Sequence, residues 1–186
     1  GDSAYLSRTP STPTSADIGT FSFWFKKTNV SDLVNIVGAY DGSANNSFDI
    51  QFHSDDRLRI RFGNTALHET TTSALFRDVS AWYHVLFAID TSQGTASNRI
   101  KIYVNGTQIT DFNSTSYPAQ NLDCLLLTGN SHRIGSTFNG GNYLDGYLAE
   151  VYLIDGQALS PTDFGEFDED SGIWKPIELK SVICVP

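Results

Sequence analysis

The residues in this chain best equipped for chemistry carry oxygen and gather in two short stretches. Asp41-Gly-Ser-Ala-Asn-Asn46 and Ser136-Thr-Phe-Asn-Gly-Gly-Asn-Tyr143 each set carboxylate or amide groups among small turn-forming residues. In the second, Phe138 and Tyr143 stand with Asn139 and Asn142, an aromatic platform beside groups that bond hydroxyls, as a sugar-binding rim requires. Asp41, Asn45 and Asn46 offer the same polar chemistry without the ring. Packing of Phe138 and Tyr143 against a scaffold explains those aromatics equally well. A third polar set, Asp49, Gln51, His53, Arg57, Arg59 and Arg61, alternates with apolar residues. It would line a groove on a curved sheet, or else be solvated or covered by another subunit.

Enzyme signatures are missing. The sequence contains no G-x-S-x-G, H-E-x-x-H, G-x-x-x-x-G-K-[ST] or C-x-x-C pattern. His53, His68, His84 and His132 are dispersed, and a lone histidine is more often a hydrogen-bonded structural group than a ligand. Glu166-Phe-Asp-Glu-Asp170 places acids at alternate positions, but it follows Gly165 and reads as a solvated acidic run. Glu150 has apolar neighbours and reads as scaffold, as does Asp155.

Composition narrows the partners. With 21 Asp and Glu against 12 Lys and Arg, the formal net charge of −9 repels nucleic acid and anionic membranes. No apolar run approaches the ~18 residues that span a bilayer, and the first residues lack the pattern of a signal peptide. A start at Gly-Asp-Ser, in a chain with no Met, is expected of a processed product or a piece of a longer polypeptide. Cys124 and Cys184 make no metal-like cluster; one disulfide and two free thiols both fit, with free thiols preferred. Sequons at Asn29, Asn45, Asn105 and Asn113 matter only on a secretory route.

The elements that must position these groups are short strands. At 186 residues with 40% hydrophobic content, one domain with a real core is expected. Thr20–Lys27 alternates, with Phe21, Phe23 and Phe25 facing one way and Ser22, Trp24 and Lys26 the other. Further strands are expected at Ala4–Arg8, Val34–Tyr40, Trp82–Asp90, Leu122–Leu127 and His132–Ile134. Ser47–Ser54 and Arg57–Gly63 form a hairpin in which Phe48 meets Phe62, Ile50 meets Ile60 and Phe52 meets Leu58; the outer face then pairs Asp49 with Arg61, Gln51 with Arg59 and His53 with Arg57. Asn105-Gly106 turns a second hairpin between Arg99–Val104 and Thr107–Thr110. Tyr147–Ile154 is apolar on both sides, with Ala149, Val151 and Leu153 on one face and Leu148, Tyr152 and Ile154 on the other, as in a strand covered on both faces. Asp155-Gly156 is expected to supply two positive-φ turn residues, and Ser160-Pro-Thr-Asp163 a capped short helix ending near Gly165. Ten to twelve such strands imply an all-β, two-sheet antiparallel sandwich with a short C-terminal helical cap over residues 1–167, and 168–186 reads as an exit linker or the start of a further segment.

The order of elements resembles the laminin-G-like branch of the concanavalin A-like lectin/glucanase jelly rolls. Phe21-Ser-Phe-Trp-Phe-Lys26, Ala81-Trp-Tyr-His-Val-Leu-Phe-Ala-Ile-Asp90, Ile100-Lys-Ile-Tyr-Val-Asn-Gly106 and Leu144-Asp-Gly-Tyr-Leu-Ala-Glu-Val151 carry it. The ending Ala149–Gly165, followed by Gly172-Ile-Trp-Lys-Pro176, is similar to that of such domains in phage and viral tail or fibre proteins. The resemblance implies adhesion and glycan recognition at a virion surface or outside the cell, with carbohydrate and virion subunits as partners and a homo-oligomer as one assembly. A second hypothesis is a purely structural virion module, and a third a degenerate glycoside hydrolase with paired carboxylates in a cleft. The resemblance also raises a rim calcium ion, for which Asp41 and Asp145 are the candidate ligands. A helix-loop-helix calcium loop is ruled out, because Phe52 stands where its bidentate Glu belongs; turn-forming Asx residues explain the same loop without metal.

Overall fold

The computed structural model describes residues 3–43, 46–63 and 68–179. Twelve strands build two antiparallel sheets: β1 (Leu6–Arg8), β2 (Ile18–Lys27), β3 (Val34–Tyr40), β4 (Ser47–Phe52), β5 (Arg57–Phe62), β6 (His68–Leu75), β7 (Tyr83–Asp90), β8 (Ile100–Val104), β9 (Thr107–Ile109), β10 (Phe112–Thr115), β11 (Ser131–Ile134) and β12 (Gly146–Asp155). The seven-stranded sheet runs β1-β11-β3-β4-β5-β6-β10 and the five-stranded sheet β12-β2-β7-β8-β9. The result is an all-β sandwich of jelly-roll type, as the alternation predicts.

Alternation explains the core. Phe21, Phe23 and Phe25 of β2 meet Phe48, Ile50 and Phe52 of β4 across the gap, and Phe25 stacks on Phe52 with ring centroids 4.6 Å apart. The β4–β5 hairpin has the expected register at every pair, including Asp49 with Arg61 and Gln51 with Arg59. Alternation also drives a cation inward. Lys27 falls on the phenylalanine face of β2 and is 2% exposed, and its Nζ lies 2.6 Å from Oδ1 of the fully buried Asp56. Asp56 sits in the β4–β5 turn at φ 66°, where it also accepts from the Ser31 N–H and from Arg77 Nε. Burial pushes its carboxyl up, but the hydrogen bonds from Lys27, Ser31 and Arg77 outweigh burial and hold it below the ordinary range.

Four expectations are corrected. Leu122–Leu127 is not a strand; Leu125–Leu127 form a 3-10 turn whose three leucines all plug the core. β12 is an edge strand, with Tyr147 59% and Leu153 38% exposed, because β2 covers only one side of it. A bulge between Ala149 and Tyr152, with Glu150 at φ 49°, resets its alternation. Leu148 and Leu153 therefore share the face opposite Phe25 and Phe21, whereas Tyr152 and Ile154 turn to the other. At the following turn Gly156 alone has positive φ, and Asp155 stays in the strand, its carboxylate accepting from the Thr14 and Ser15 N–H groups.

The fourth correction concerns the end of the chain. Pro161–Asp163 makes the expected capped turn, as a 3-10 helix, with the Ser160 N–H donating to Asp163 Oδ2 at 3.0 Å. Within the segment expected to leave the fold, the described residues instead turn back: β13 (Gly165–Phe167) pairs with β14 (Trp174–Pro176). Trp174 is 7% exposed. Its Nε1–H donates to His84 Nδ1 at 3.0 Å, leaving His84 Nε2–H for Ser22 Oγ at 2.8 Å. The His84 ring also stacks against Trp24 and Trp174. Strands β6 and β10 carry no apolar alternation, their Thr and Ser runs resembling loop composition, and only pairing reveals them.

Candidate functional site

Because Phe48, Ile50 and Phe52 point into the core, Asp49 and Gln51 must point out of the seven-stranded sheet. Register extends them into two rows. Gly38, Asp49, Arg61 and Glu69 lie side by side in one, and Asn35, Gln51, Arg59 and Thr71 in the next.

The loop holding Phe138 lies down on this face at Gly38. A Cβ there would stand 3.1 Å from the Phe138 backbone nitrogen and 3.2 Å from Asp49 Oδ1. Asn35 pins the loop from below: its Nδ2 donates to the Ser136 carbonyl at 2.9 Å, and its N–H to the Asn142 carbonyl at 2.8 Å. Phe138 then stacks on Tyr40, ring centroids 4.1 Å apart and 10° from parallel. Gly38→Val is expected to lift this loop and cost about 1–3 kcal/mol by overpacking, read as a lowered urea midpoint at unchanged m-value. An unaltered midpoint would show that the loop does not rest on Gly38.

Charge on the floor is balanced but incompletely bonded. Arg59 Nη2 donates to Gln51 Oε1 at 2.5 Å, and Ser47 Oγ to Asp49 Oδ2 at 3.2 Å. Glu69 Oε2 lies 3.6 Å from Arg59 Nη1 and 3.4 Å from Arg61 Nε. That second contact attracts the charges, but the N–H direction misses, so Arg61 Nε makes no hydrogen bond. Burial raises the Asp49 carboxyl above its usual range, with Arg61, Ser47 and Arg59 opposing, and burial lowers the Arg59 guanidinium. Among the described residues, the buried side-chain atoms lacking a hydrogen bond are Asn35 Oδ1, Asp49 Oδ1, Arg59 Nε and Arg61 Nε. All four belong to these two rows.

The rim residues divide. Phe138 on Tyr40 brings the 136–143 loop against the start of the loop after β3, so the two candidate stretches do meet. Within the second, Asn139 Oδ1 accepts from Thr137 Oγ1 at 2.7 Å, Asn142 adopts φ 46°, and the half-buried Tyr143 keeps its hydroxyl near Gly140. Asp41 spends its oxygens locally, on the Ser43 N–H at 2.8 Å and on the Asn46 side chain. Asn45 lies outside the described residues, as does Cys184. Asp145 precedes Gly146, which pairs with Lys27 at the end of β2, and its Oδ2 accepts from Asn29 at 2.6 Å. Lys27 reaches the β4–β5 turn, the end of the sandwich where β3 begins, whereas Asp41 follows β3 at the other end. The two acids therefore cannot share an ion, and among the described residues no group of three or more His, Cys, Asp or Glu could hold one. This geometry does not fit a calcium site built on Asp41 and Asp145. Cys124 is buried and its thiol pushed up to about 12 by desolvation, leaving it unreactive.

Asn35, Gly38, Tyr40 and Glu69 join the site without having been singled out in the sequence. Asn35 was findable as the one amide in an apolar strand; Glu69 was not, because β6 has no legible pattern.

A family model described as the concanavalin A-like lectin/glucanases superfamily matches residues 1–163. The chain belongs to this superfamily. Among curated proteins none matches it by sequence. Solved structures with the same fold include domain 4 of AbnA, an extracellular arabinanase from Geobacillus stearothermophilus, in complex with arabinotriose (TM-score 0.60, 18% identity, 80% of this chain and 65% of that one). Others are domains LG4-5 of the mouse laminin alpha1 chain (TM-score 0.60, 12% identity, 96% and 43%), and the CBM40 of the Ruminococcus gnavus IT-sialidase (TM-score 0.56, 13% identity, 87% and 96%). The chain thus spans about two thirds of the arabinanase domain and less than half of the laminin fragment. Fold similarity at these identities fixes architecture and not ligand. No helix among the described residues is long and apolar enough to cross a membrane.

Proposed function

We propose that this chain is a non-catalytic carbohydrate-binding module whose glycan lies on the outer face of the seven-stranded sheet, between the Phe138–Tyr40 wall and the side chains of Arg59, Arg61 and Glu69. The observation that carries this reading is the stacked Phe138–Tyr40 pair standing on the same sheet face as the partly exposed Arg59, Arg61 and Glu69. An aromatic edge near guanidinium donors and a carboxylate acceptor is the chemistry that holds a sugar, whose hydroxyls both give and take hydrogen bonds. The arabinotriose complex of the arabinanase domain and the sialyllactose complexes of the CBM40 lend general support to a sugar ligand. Against catalysis stand the packing of Asp49 beneath the loop and the two arginines beside Glu69, which leave neither acid free to shuttle protons. The setting we propose is a virion or other extracellular surface, on the strength of the 149–176 ending; fibre or capsid domains flanking this one in the parent polypeptide would support it, and intracellular enzyme domains would count against it.

A glycan array tests the site. Arg61→Met keeps the stem and removes the donors, and is expected to weaken binding at least about tenfold, the scale of a lost charge-assisted hydrogen bond. Asp41→Ala should bind as the parent does, and chelator should change nothing. Binding that survives Arg61→Met but disappears with chelator would place recognition on the Asp41 rim instead.

A further inference from the structure

A cavity opens on the flank of the sandwich, away from the polar rows. It has a volume of about 500 Å³ and lies between the edge strands of the two sheets, walled by Leu6, Phe21, Val37, Leu127, Val151 and Leu153. Its origin is legible in the topology. β1 ends one sheet and β12 ends the other, and the two face each other across this gap without pairing. The bulge at Glu150 puts Val151 and Leu153 on the face that borders the gap. The volume falls in the range of small-molecule sites. Water held there would face mostly carbon, so an apolar occupant would gain by displacing it.

The cavity carries one cation without a charge partner. The Arg8 side chain, at the exposed end of β1, makes no hydrogen bond or ion pair among the described residues and lines the cavity. The other ionisable groups lining the cavity are Asp155 and His132. Asp155 keeps its charge but turns its carboxylate to the Thr14 and Ser15 N–H groups of the β1–β2 connection. His132, opposite Arg8 in the ladder, bonds the Leu125 carbonyl through Nε2, and burial together with the nearby Arg8 keeps its ring neutral. An apolar hole with one free guanidinium at its lip matches one chemical class.

We infer that this flank cavity binds a single-chain amphiphile with an anionic head, its tail between β1 and β12 and its head on Arg8. The inference is independent of the glycan reading, which uses the opposite part of the seven-stranded sheet.

Laurate below its micelle concentration is the probe, with dodecanol and dodecyltrimethylammonium as controls, measured by calorimetric titration on the whole chain. One laurate per chain is expected, bound more tightly than the alcohol and far more tightly than the cation. Arg8→Glu, at an exposed position that leaves the core intact, should weaken laurate by at least about tenfold and spare dodecanol. Leu153→Trp, which fills the gap, should weaken both. Equal affinity for laurate and dodecanol, or indifference to Arg8→Glu, would overturn the anionic head. Indifference to Leu153→Trp in a folded protein, or absence of any laurate binding, would overturn the site. Glycan binding should be unchanged in both variants.

Discussion

Asp56→Ala is expected to destabilise the protein by about 3–5 kcal/mol, the range for breaking a buried ion pair on one side only. Lys27 is 2% exposed and its ammonium would be left in the core with no acceptor beside it, and the Ser31 N–H and Arg77 Nε would lose their partner as well. The clamp joins the last residue of β2, in one sheet, to the β4–β5 turn of the other, so its loss also frees the two sheets at that end. Guanidinium denaturation at neutral pH gives the value. The double substitution Lys27→Met with Asp56→Ala removes the stranded charge and should recover a large part of the loss. A single-variant loss below about 1 kcal/mol, the scale of an exposed pair, would mean that water reaches the site and the ions are not buried. The Asp56 carboxyl is held below the ordinary range, so its contribution is present above its unfolded value of 3.8 and is lost as pH falls through the lower folded value.

Trp174→Ala should cost a similar amount, about 3–5 kcal/mol, typical of a large buried aromatic cut to a methyl. The indole fills the space over Gly106 and Gly165, where an added Cβ would stand 2.5 Å and 2.6 Å from its ring. It is also the partner of His84 Nδ1. With its loss the β13–β14 hairpin has no buried anchor, and protease sensitivity should appear between 165 and 179 before global unfolding. A protein as stable and as resistant as the parent would show that the hairpin is held elsewhere. The same contact makes stability depend on pH. Desolvation pushes His84 down to about 4 from 6.5, so the unfolded chain binds a proton that the folded chain refuses between those values. Stability is therefore full above pH 6.5 and falls as pH drops towards 4. At about 1.4 kcal/mol per pH unit the loss from this group approaches 3 kcal/mol. His84→Gln, which can keep one of the two bonds, should flatten that slope whatever its effect at neutral pH.

The fold and half of the site were open to reading before any coordinates. The sandwich followed from period-2 alternation in β2, β4 and β5, because burying one face of a strand dictates the other. The same rule set Asp49, Gln51, Arg59 and Arg61 on one outer face in the register observed, since one slip would have exposed every phenylalanine of the hairpin. The capped turn at Ser160–Asp163 was equally local. What only the tertiary structure decided involves partners far apart in the chain or departures from period. Glu69 joins Arg61 through a strand whose threonines carry no hydrophobic signal. Gly38 makes room for a loop about a hundred residues later, and a missing side chain does not advertise what will lie on it. The Glu150 bulge reassigns Val151 and Leu153, and so opens the flank cavity, because one extra residue inverts all that follows it. Lys27 and Trp174 reverse what composition suggests, a lysine sealed in the core and an apparent tail folded back onto it. Each is settled by a contact that balances a charge or buries a ring, and such contacts exist only once the sheets have closed.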